Sequence, residues 1–188
     1  MPFTLEAWTD GACRRNGYAD AVGGAGVWFP TYPAGNQSVP LPSHPTPTNQ
    51  RAELTAIILA LEAVDQKQIQ VCTGNQFPLF FLVTIHSDSE YSVRCLNEWV
   101  LNWVQNGWRT GTNQPVLNAD LIQKAHALRL KIEMSFRGAS ITFKWIPRTD
   151  NATADKLAND ACDQAEKDLR ETPVLYTGYA AVVEDGYY

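Results

Sequence analysis

The sequence has few basic residues and no long hydrophobic segment. Its 188 residues include 15 lysines and arginines against 20 aspartates and glutamates, which gives a formal net charge of -5. This balance argues against a protein that coats nucleic acid through a broadly basic surface, so any contact with nucleic acid has to be local. The chain contains no apolar run long enough for a membrane span, and its N-terminal segment lacks the basic-then-apolar order of a signal peptide. We therefore expect an intracellular protein, with cytoplasm, nucleus and mitochondrion unresolved.

Cysteine is also scarce. The four cysteines are scattered and form no CxxC pair, and no histidine lies at zinc-finger spacing from them, which excludes a disulfide framework and a zinc finger. We interpret all four as free thiols: Cys13, Cys72, Cys95 and Cys162. The hydrophobic content of 45% is sufficient for one sizeable core, so a single compact domain is expected.

The pattern of apolar residues predicts an α/β fold. Strands are predicted over residues 3–11, 23–30, 37–39, 78–88 and 141–146. Helices are predicted over 49–64, 118–134 and 150–169, with one or two short helices over 89–108. We expect the first strand to close at Asp10 and Gly11, the first helix to be capped by Thr48 or Asn49, and the last by Asp150 or Asn151. This order predicts a five-stranded mixed sheet flanked by helices, with an antiparallel meander followed by parallel strands. Residues 1–170 form the predicted domain, and residues 171–188 a C-terminal tail that is either disordered or a packed extension.

Four acidic residues fall at the ends of these predicted elements. Asp10 closes the first strand, Glu53 opens the first long helix, Asp88 ends the central strand, and Asp155 lies early in the last helix. Such ends converge on one edge of an α/β sheet. Four carboxylates repel one another unless cations lie between them, and their oxygens are ligands that Mg²⁺ or Mn²⁺ prefers. Two such ions about 4 Å apart suit in-line phosphoryl displacement.

Each acid also has an ordinary structural interpretation. Asp10 lies in a turn-like TDG sequence, and Asp88 in an SDSE sequence typical of helix caps. Glu53 and Asp155 are placed to interact with the N-terminal dipoles of their helices. These separate interpretations do not explain why all four acids fall on the same predicted edge.

At these positions the sequence resembles the type 1 ribonucleases H. The resemblance covers roughly residues 3–168 and rests on the motifs WTDGAC (8–13), TNQRAEL (48–54), HSDSEYSV (86–93), NEWVLNWVQNGWRT (97–110), PVLNADL (115–121) and NATADKLA (151–158). It implies a ribonuclease H-like fold in which residues 1–170 are the catalytic domain. A catalytically silent hybrid-binding domain and the ribonuclease H module of a retroelement polyprotein are the alternatives.

The resemblance also implies a reaction. Asp10, Glu53, Asp88 and Asp155 would bind two Mg²⁺ ions, for which Mn²⁺ would substitute, and catalyse hydrolysis of the RNA strand of an RNA/DNA hybrid. The products would carry 5′-phosphate and 3′-hydroxyl ends. Glu53 would also contact a ribose 2′-hydroxyl, the group that distinguishes RNA from DNA. We expect the enzyme to be a monomer whose partner is the RNA/DNA hybrid.

Seven further positions match family residues that contact the hybrid. Thr48 and Asn118 match residues that contact a DNA phosphate, and Asn16, Asn49 and Gln50 match residues that contact the RNA minor groove. Trp99 and Trp103 match residues that pack on deoxyribose. Helical spacing alone favours core packing for the two tryptophans.

Two departures from the family pattern stand out. The segment that contains the tryptophans carries only Arg109 where relatives are rich in lysine and arginine. The loop before the last helix is short and lacks the histidine found in many relatives. Its nearest polar residues are Arg148, a candidate contact to the scissile phosphate, and Asp150.

Overall fold

The computed structural model describes residues 2–73, 80–135 and 138–171. Within these ranges five strands form one mixed sheet in the order β3-β2-β1-β4-β5. The strands are β1 (Phe3–Arg14), β2 (Val22–Trp28), β3 (Gln37–Pro40), β4 (Phe81–Ser87) and β5 (Ala139–Trp145). β2 pairs with β1 and β3 in antiparallel register, whereas β4 pairs with β1 and β5 in parallel register. The predicted fold class is therefore confirmed.

The helices cover both faces of this sheet. They are α1 (Asn49–Thr73), α2 (Glu90–Arg94), a π-helical segment (Cys95–Trp99), α3 (Val100–Gln105), α4 (Ala119–Ser135) and α5 (Ala152–Glu171). A Cβ atom on Gly24 or Gly26 of β2 would collide with α5, whereas one on Gly11, which pairs with the intervening Ala25, would collide with α1. Since alternate residues of a strand point to opposite faces, α1 and α5 lie on opposite sides of the sheet.

The core lies between the sheet and α1, with α4 packed beside α1. The predicted stripe of α1 is fully inside it, since Leu54, Ile57, Ile58 and Leu61 are all buried. Thr48 caps α1 as expected, because its Oγ1 accepts a hydrogen bond of 3.2 Å from the Arg51 backbone N–H.

The predicted end of β1 was wrong. The strand continues past Asp10 and Gly11 to Arg14, because residues 11–14 pair with β2. The parallel pairing with β4 does stop close to the predicted place, at Thr9 and Ser87. Asp10 therefore follows the last β1–β4 pair while it still lies within β1.

Within the described residues, neither predicted cap residue, Asp150 or Asn151, caps α5 with its side chain. Asn151 precedes the helix, but its side-chain Nδ2 donates to other elements and its buried Oδ1 has no hydrogen-bond partner among the described residues. The carboxylate of Asp150 accepts a hydrogen bond from the neighbouring Thr149 hydroxyl.

Several expectations concern the remaining residues. Cys13, Cys95 and Cys162 are free thiols, while the side chain of Cys72 and the tail from residue 172 lie outside the described part of the chain. Among the described helices, none combines the length and the apolar character that crossing a membrane requires.

Candidate active site

Asp10, Glu53 and Asp88 come together at one edge of the sheet. Asp10 lies just beyond the last β1–β4 pair, Asp88 directly follows β4, and Glu53 is near the start of α1. One carboxylate oxygen from each of the three residues lies within 4.8 Å of the other two. Three of the four acids singled out from the sequence therefore form one cluster.

Gly11 allows α1 to approach β1 at this point. A Cβ atom on Gly11 would overlap the backbone nitrogen of Glu53 and the carbonyl carbon of Ala52. Without a side chain at position 11, the first turns of α1 lie directly against the strand that carries Asp10. The close contact places Glu53 beside Asp10, although Glu53 belongs to an amphipathic helix.

Asp10 is buried, Glu53 and Asp88 are half-buried, and the pKa values of Asp10 and Glu53 are raised. Burial raises the pKa of Asp10 to about 7, and the negative charges of Asp88 and Asp155 add to this rise, whereas Arg148 opposes it. Burial also raises the pKa of Glu53 well above its ordinary value, with the charges of Asp10 and Asp88 acting in the same direction. A cation placed among these oxygens would counteract both causes of the raised pKa values, because it replaces the lost hydration and neutralises the negative charges.

The residues at this site fit a divalent metal ion. The donor set consists of carboxylate oxygens, the hard ligands that Mg²⁺ and Ca²⁺ prefer. In addition, Glu53 Oε2 is buried and has no hydrogen-bond partner among the described residues. A buried carboxylate oxygen without a donor is unfavourable unless something positive occupies the adjacent space. The cluster is therefore a candidate site for a divalent cation.

Asp155 lies beside this cluster but faces a different partner. Its Oδ1 accepts a hydrogen bond of 2.8 Å from Arg148, and its Oδ2 lies 3.3 Å from the side-chain amide of Asn159. Asp155 is nevertheless close enough for its charge to raise the pKa of Asp10. The fourth acid therefore belongs to the same electrostatic site, with a guanidinium as its present counter-ion.

Two residues that sequence reasoning did not assign to the site hold Asp88 in place. Asn151 Nδ2 donates to Asp88 Oδ1 at 2.8 Å, and the Trp145 indole N–H donates to the Asp88 backbone carbonyl at 3.1 Å. The sequence predicts Asn151 only as a helix cap, and no sequence signal distinguishes Trp145 from other strand residues. Their directions depend on how β5 and α5 meet the end of β4.

The residues expected to bind the RNA strand lie near the start of α1. Asn16 Oδ1 accepts a hydrogen bond of 3.2 Å from the Asn49 backbone N–H, which ties the loop after β1 to the helix. Asn49 and Gln50 are exposed, and Gln50 Oε1 lies 3.4 Å from the amide of Asn118. The structure thus brings Asn16, Asn49 and Gln50 to the end of α1 that also carries Glu53.

Asn118 is held by several neighbours. It has a left-handed backbone conformation, with φ of 56°, directly before α4. Its Nδ2 lies 3.4 Å from the Tyr91 hydroxyl, and its Oδ1 lies 3.5 Å from an Arg51 nitrogen. Arg51 in turn forms a bidentate ion pair with Asp120, at 2.7 and 3.1 Å. The residues expected to contact the DNA phosphate, Thr48 and Asn118, are therefore linked through Arg51.

Trp99 and Trp103 pack against the core, as their helical spacing predicts, while their contact with deoxyribose stays a prediction. Their rings pack edge to face at 5.7 Å, and Trp103 lies 6.4 Å from the ring of Trp108. All three rings are half-buried against the core, so part of each remains at the surface. Arg94 lies over the Trp99 ring at 4.9 Å. The tryptophans form a continuous aromatic surface supported by the core.

The comparison with known protein families agrees with this site. The family model described as RNase H matches residues 4–163. The chain belongs to the ribonuclease H family. It is therefore a nuclease, a hydrolase that acts on phosphodiester bonds.

Individual relatives show how much of the chain this similarity covers. The chain is 40% identical over 153 residues to ribonuclease H of Schizosaccharomyces pombe, which covers 80% of this chain and 50% of that protein. It is 36% identical over 166 residues to ribonuclease H of Alkalilimnicola ehrlichii, with 87% of this chain and 97% of the relative covered. The chain thus spans half of the first relative and nearly all of the second.

A solved structure shows the same architecture. The structure of LC11-RNase H1, determined in complex with an RNA/DNA hybrid, superposes with a TM-score of 0.57 at 25% identity. The alignment covers 86% of this chain and 99% of LC11-RNase H1.

Proposed function

We propose that this ribonuclease H hydrolyses the RNA strand of RNA/DNA hybrids with two Mg²⁺ ions held by Asp10, Glu53, Asp88 and Asp155, giving 5′-phosphate and 3′-hydroxyl ends. The observation that carries the proposal is the cluster of Asp10, Glu53 and Asp88, with one oxygen of each within 4.8 Å of the others. Family membership supplies the reaction and the substrate class. Residues 1–170 form the catalytic domain, and they contain the entire family match.

The acids have different roles in this proposal. When bound, the two ions activate the attacking water and stabilise the leaving 3′ oxygen. Asp10, next to the last β1–β4 pair, and Asp88, directly after β4, supply ligand oxygens, and Glu53 adds a carboxylate oxygen to the same cluster. Glu53 also accepts a hydrogen bond from a ribose 2′-hydroxyl, which restricts cleavage to RNA. Mn²⁺ substitutes for Mg²⁺, because both accept a set of carboxylate oxygens.

Asp155 and Arg148 act together. Arg148 is exposed and donates to Asp155 at 2.8 Å, so its guanidinium lies within reach of both the acids and solvent. We infer that it leaves Asp155 when the site is loaded and contacts the scissile phosphate, which is a charge-assisted interaction of the kind arginine favours. Arg148 lies in the short loop before α5, which lacks the histidine found in many relatives.

The residues that bind the two strands of the hybrid meet at the start of α1, where the Asn118 amide lies 3.4 Å from Gln50 Oε1. Asn16, Asn49 and Gln50 contact the minor groove of the RNA strand from the exposed start of α1. Thr48 and Asn118 bind a phosphate of the DNA strand, and the exposed parts of Trp99 and Trp103 pack on its deoxyribose. We propose that the enzyme acts on the hybrid as a monomer.

Cleavage of an end-labelled RNA/DNA hybrid in the presence of Mg²⁺ tests the proposal. We expect products with 5′-phosphate and 3′-hydroxyl ends from the wild type, and no cleavage by the Asp10→Asn and Asp88→Asn variants. The Asp150→Asn variant is a matched control, because it makes the same change in an exposed acid close to the site. If both site variants keep more than a tenth of the wild-type activity, the assignment of metal ligands is wrong. If the wild type binds the hybrid without cutting it, the chain is a silent binding domain.

A further inference from the structure

Asn151 is a buried polar residue between three elements that carry the acids. Its side chain is fully inaccessible to solvent. Nδ2 donates one hydrogen bond of 2.8 Å to Asp88 Oδ1 and another of 3.0 Å to the backbone carbonyl of Thr9. Asn151 therefore connects Asp88, directly after β4, to Thr9, the residue before Asp10 on β1.

The chemistry of these partners fixes the orientation of the amide. A backbone carbonyl and an ionised carboxylate only accept hydrogen bonds, so the NH₂ group of Asn151 must face both of them. This orientation leaves Oδ1 buried without a hydrogen-bond partner among the described residues. A buried acceptor without a hydrogen bond is unfavourable. If Asn151 served only as a helix cap, Oδ1 would accept a hydrogen bond from a backbone N–H of α5, so its present orientation indicates that the contacts of Nδ2 are the important ones.

Asn151 also contacts the fourth acid through its backbone. Its carbonyl oxygen accepts a hydrogen bond of 3.0 Å from the Asp155 N–H, which starts α5. On the other side, the Thr9 hydroxyl donates to the His86 carbonyl at 3.1 Å and connects β1 to β4 immediately before the two aspartates. A single side chain thus sits where the segments that carry Asp10, Asp88 and Asp155 meet.

We propose that Asn151 is a positioning residue that fixes the rotation of the Asp88 carboxylate, and its distance from β1, in the arrangement that binds metal. The proposal rests on the metal site proposed above. Groups that hydrogen-bond to metal ligands typically change metal affinity or activity by about 10-fold to 100-fold when they are replaced. Asn151 differs from the acids because it contacts no reacting atom and acts through Asp88.

Two substitutions at this position separate positioning from folding. Asn151→Asp keeps the shape of the side chain but replaces the two N–H donors with a carboxylate oxygen that faces two acceptors. Asn151→Ser keeps one donor in a smaller side chain and adds no negative charge, so it also decides the question if Asn151→Asp fails to fold. The control is Asn97→Asp, because the Asn97 amide likewise donates to a backbone carbonyl, that of Phe143 at 2.9 Å, in another part of the fold.

The measurements are the Mg²⁺ concentration that gives half of the maximal rise in melting temperature, with no substrate present, and the half-saturating Mg²⁺ concentration for hybrid cleavage. We expect both to increase by about tenfold or more in Asn151→Asp and Asn151→Ser, and to remain unchanged in Asn97→Asp. A lower melting temperature with Mg²⁺ half-saturation within twofold of wild type would overturn the proposal, because a purely structural residue behaves in that way. If Mg²⁺ neither stabilises the wild type nor supports its cleavage, the proposed metal site itself is wrong.

Discussion

Arg148 donates a 2.8 Å hydrogen bond to Asp155, which is the one acid of the four proposed ligands that lies outside the cluster of three. The guanidinium therefore occupies a place where a metal ion would compete with it for the same carboxylate. Ion pairs as exposed as this one contribute little to stability, so a bound cation can displace Arg148 at small cost. Metal binding and the release of Arg148 are thus expected to be linked.

The Arg148→Ala variant tests this linkage. Removing the guanidinium frees Asp155 for metal and deletes the proposed contact to the scissile phosphate. We expect tighter Mg²⁺ binding, measured by thermal shift without substrate, together with hybrid cleavage slowed by about tenfold or more, as for other lost charge-assisted hydrogen bonds. Asp150→Ala, in the same short turn, is the control and should change neither quantity. Weaker Mg²⁺ binding by Arg148→Ala would contradict the proposed competition.

Asp10 makes the metal-free protein less stable at high pH. Its pKa is about 3.9 in an unfolded chain and is raised to about 7 in the folded protein. Between these values the folded state retains a proton that the unfolded chain has released, so stability falls as the pH rises through about 7. Asp10→Asn lacks this effect. The free energy of unfolding can be measured with denaturant in EDTA. Between pH 4 and pH 8, that of Asp10→Asn should increase relative to that of the wild type by a total on the order of 2–4 kcal/mol.

The wild type should recover that stability when Mg²⁺ is added at pH 8, whereas Asp10→Asn should respond little. An advantage for Asp10→Asn that is the same at pH 4 and pH 8 would show that Asp10 does not retain its proton in the folded state.

The pH dependence of cleavage should follow metal occupancy and not a histidine. His44 is in the loop before α1, His86 is buried in β4 and His126 is in α4, so none of the three occupies the short loop before α5. At low Mg²⁺ concentration we expect the rate to rise up to about pH 7, as the proton on Asp10 is lost and metal binds. At saturating Mg²⁺ the ionisation near pH 6.5 should be absent. An ionisation that persists at saturating metal and disappears on replacing His86 or His126 would contradict this assignment.

The general position of the acids could be predicted from the sequence because strand ends and helix starts converge at one edge of an α/β sheet. Asp10 shows the limit of this reasoning. Its TDG sequence is a turn signal, yet residues 11–14 pair with β2 and extend the strand. Pairing with a strand that lies later in the chain overrides a local turn preference, and nothing within the TDG segment reports it.

The details of the site depended on tertiary contacts. Asn151 has the residue type and position of a helix cap, but its amide turns toward Thr9 and Asp88. The separation of Asp155 from the other acids likewise depends on the direction of the Arg148 side chain. Residue types and spacing identify which acids belong to the site, whereas the packing of α5 against β1 and β2 determines which neighbours hold them.

The binding of the hybrid should be specific but only weakly dependent on salt. The proposed contact of Trp99 and Trp103 with deoxyribose involves no charge, and Arg94 beside these rings is paired with Glu90 and Glu98 at 3.6 and 3.2 Å. Few counterions are then released on binding, so the affinity should fall with salt less steeply than for basic relatives.

The enzyme should cut the hybrid and leave double-stranded RNA, single-stranded RNA and duplex DNA intact. Equal rates on hybrid and double-stranded RNA would refute the assigned roles of the tryptophans.

The contact between Gly11 and α1 should be intolerant of any side chain. A Cβ atom at position 11 would overlap backbone atoms of Ala52 and Glu53, which cannot rotate away as a flexible side chain does. Gly11→Ala must therefore push α1 from β1, and Glu53 moves with the helix away from Asp10. Overpacking of this kind costs about 1–3 kcal/mol, so we expect a lower melting temperature and a fall in cleavage at saturating Mg²⁺. Gly111→Ala is the matched control, since a Cβ atom there meets nothing within 4 Å. If Gly11→Ala retains wild-type stability and activity, the close approach of α1 to β1 does not position Glu53.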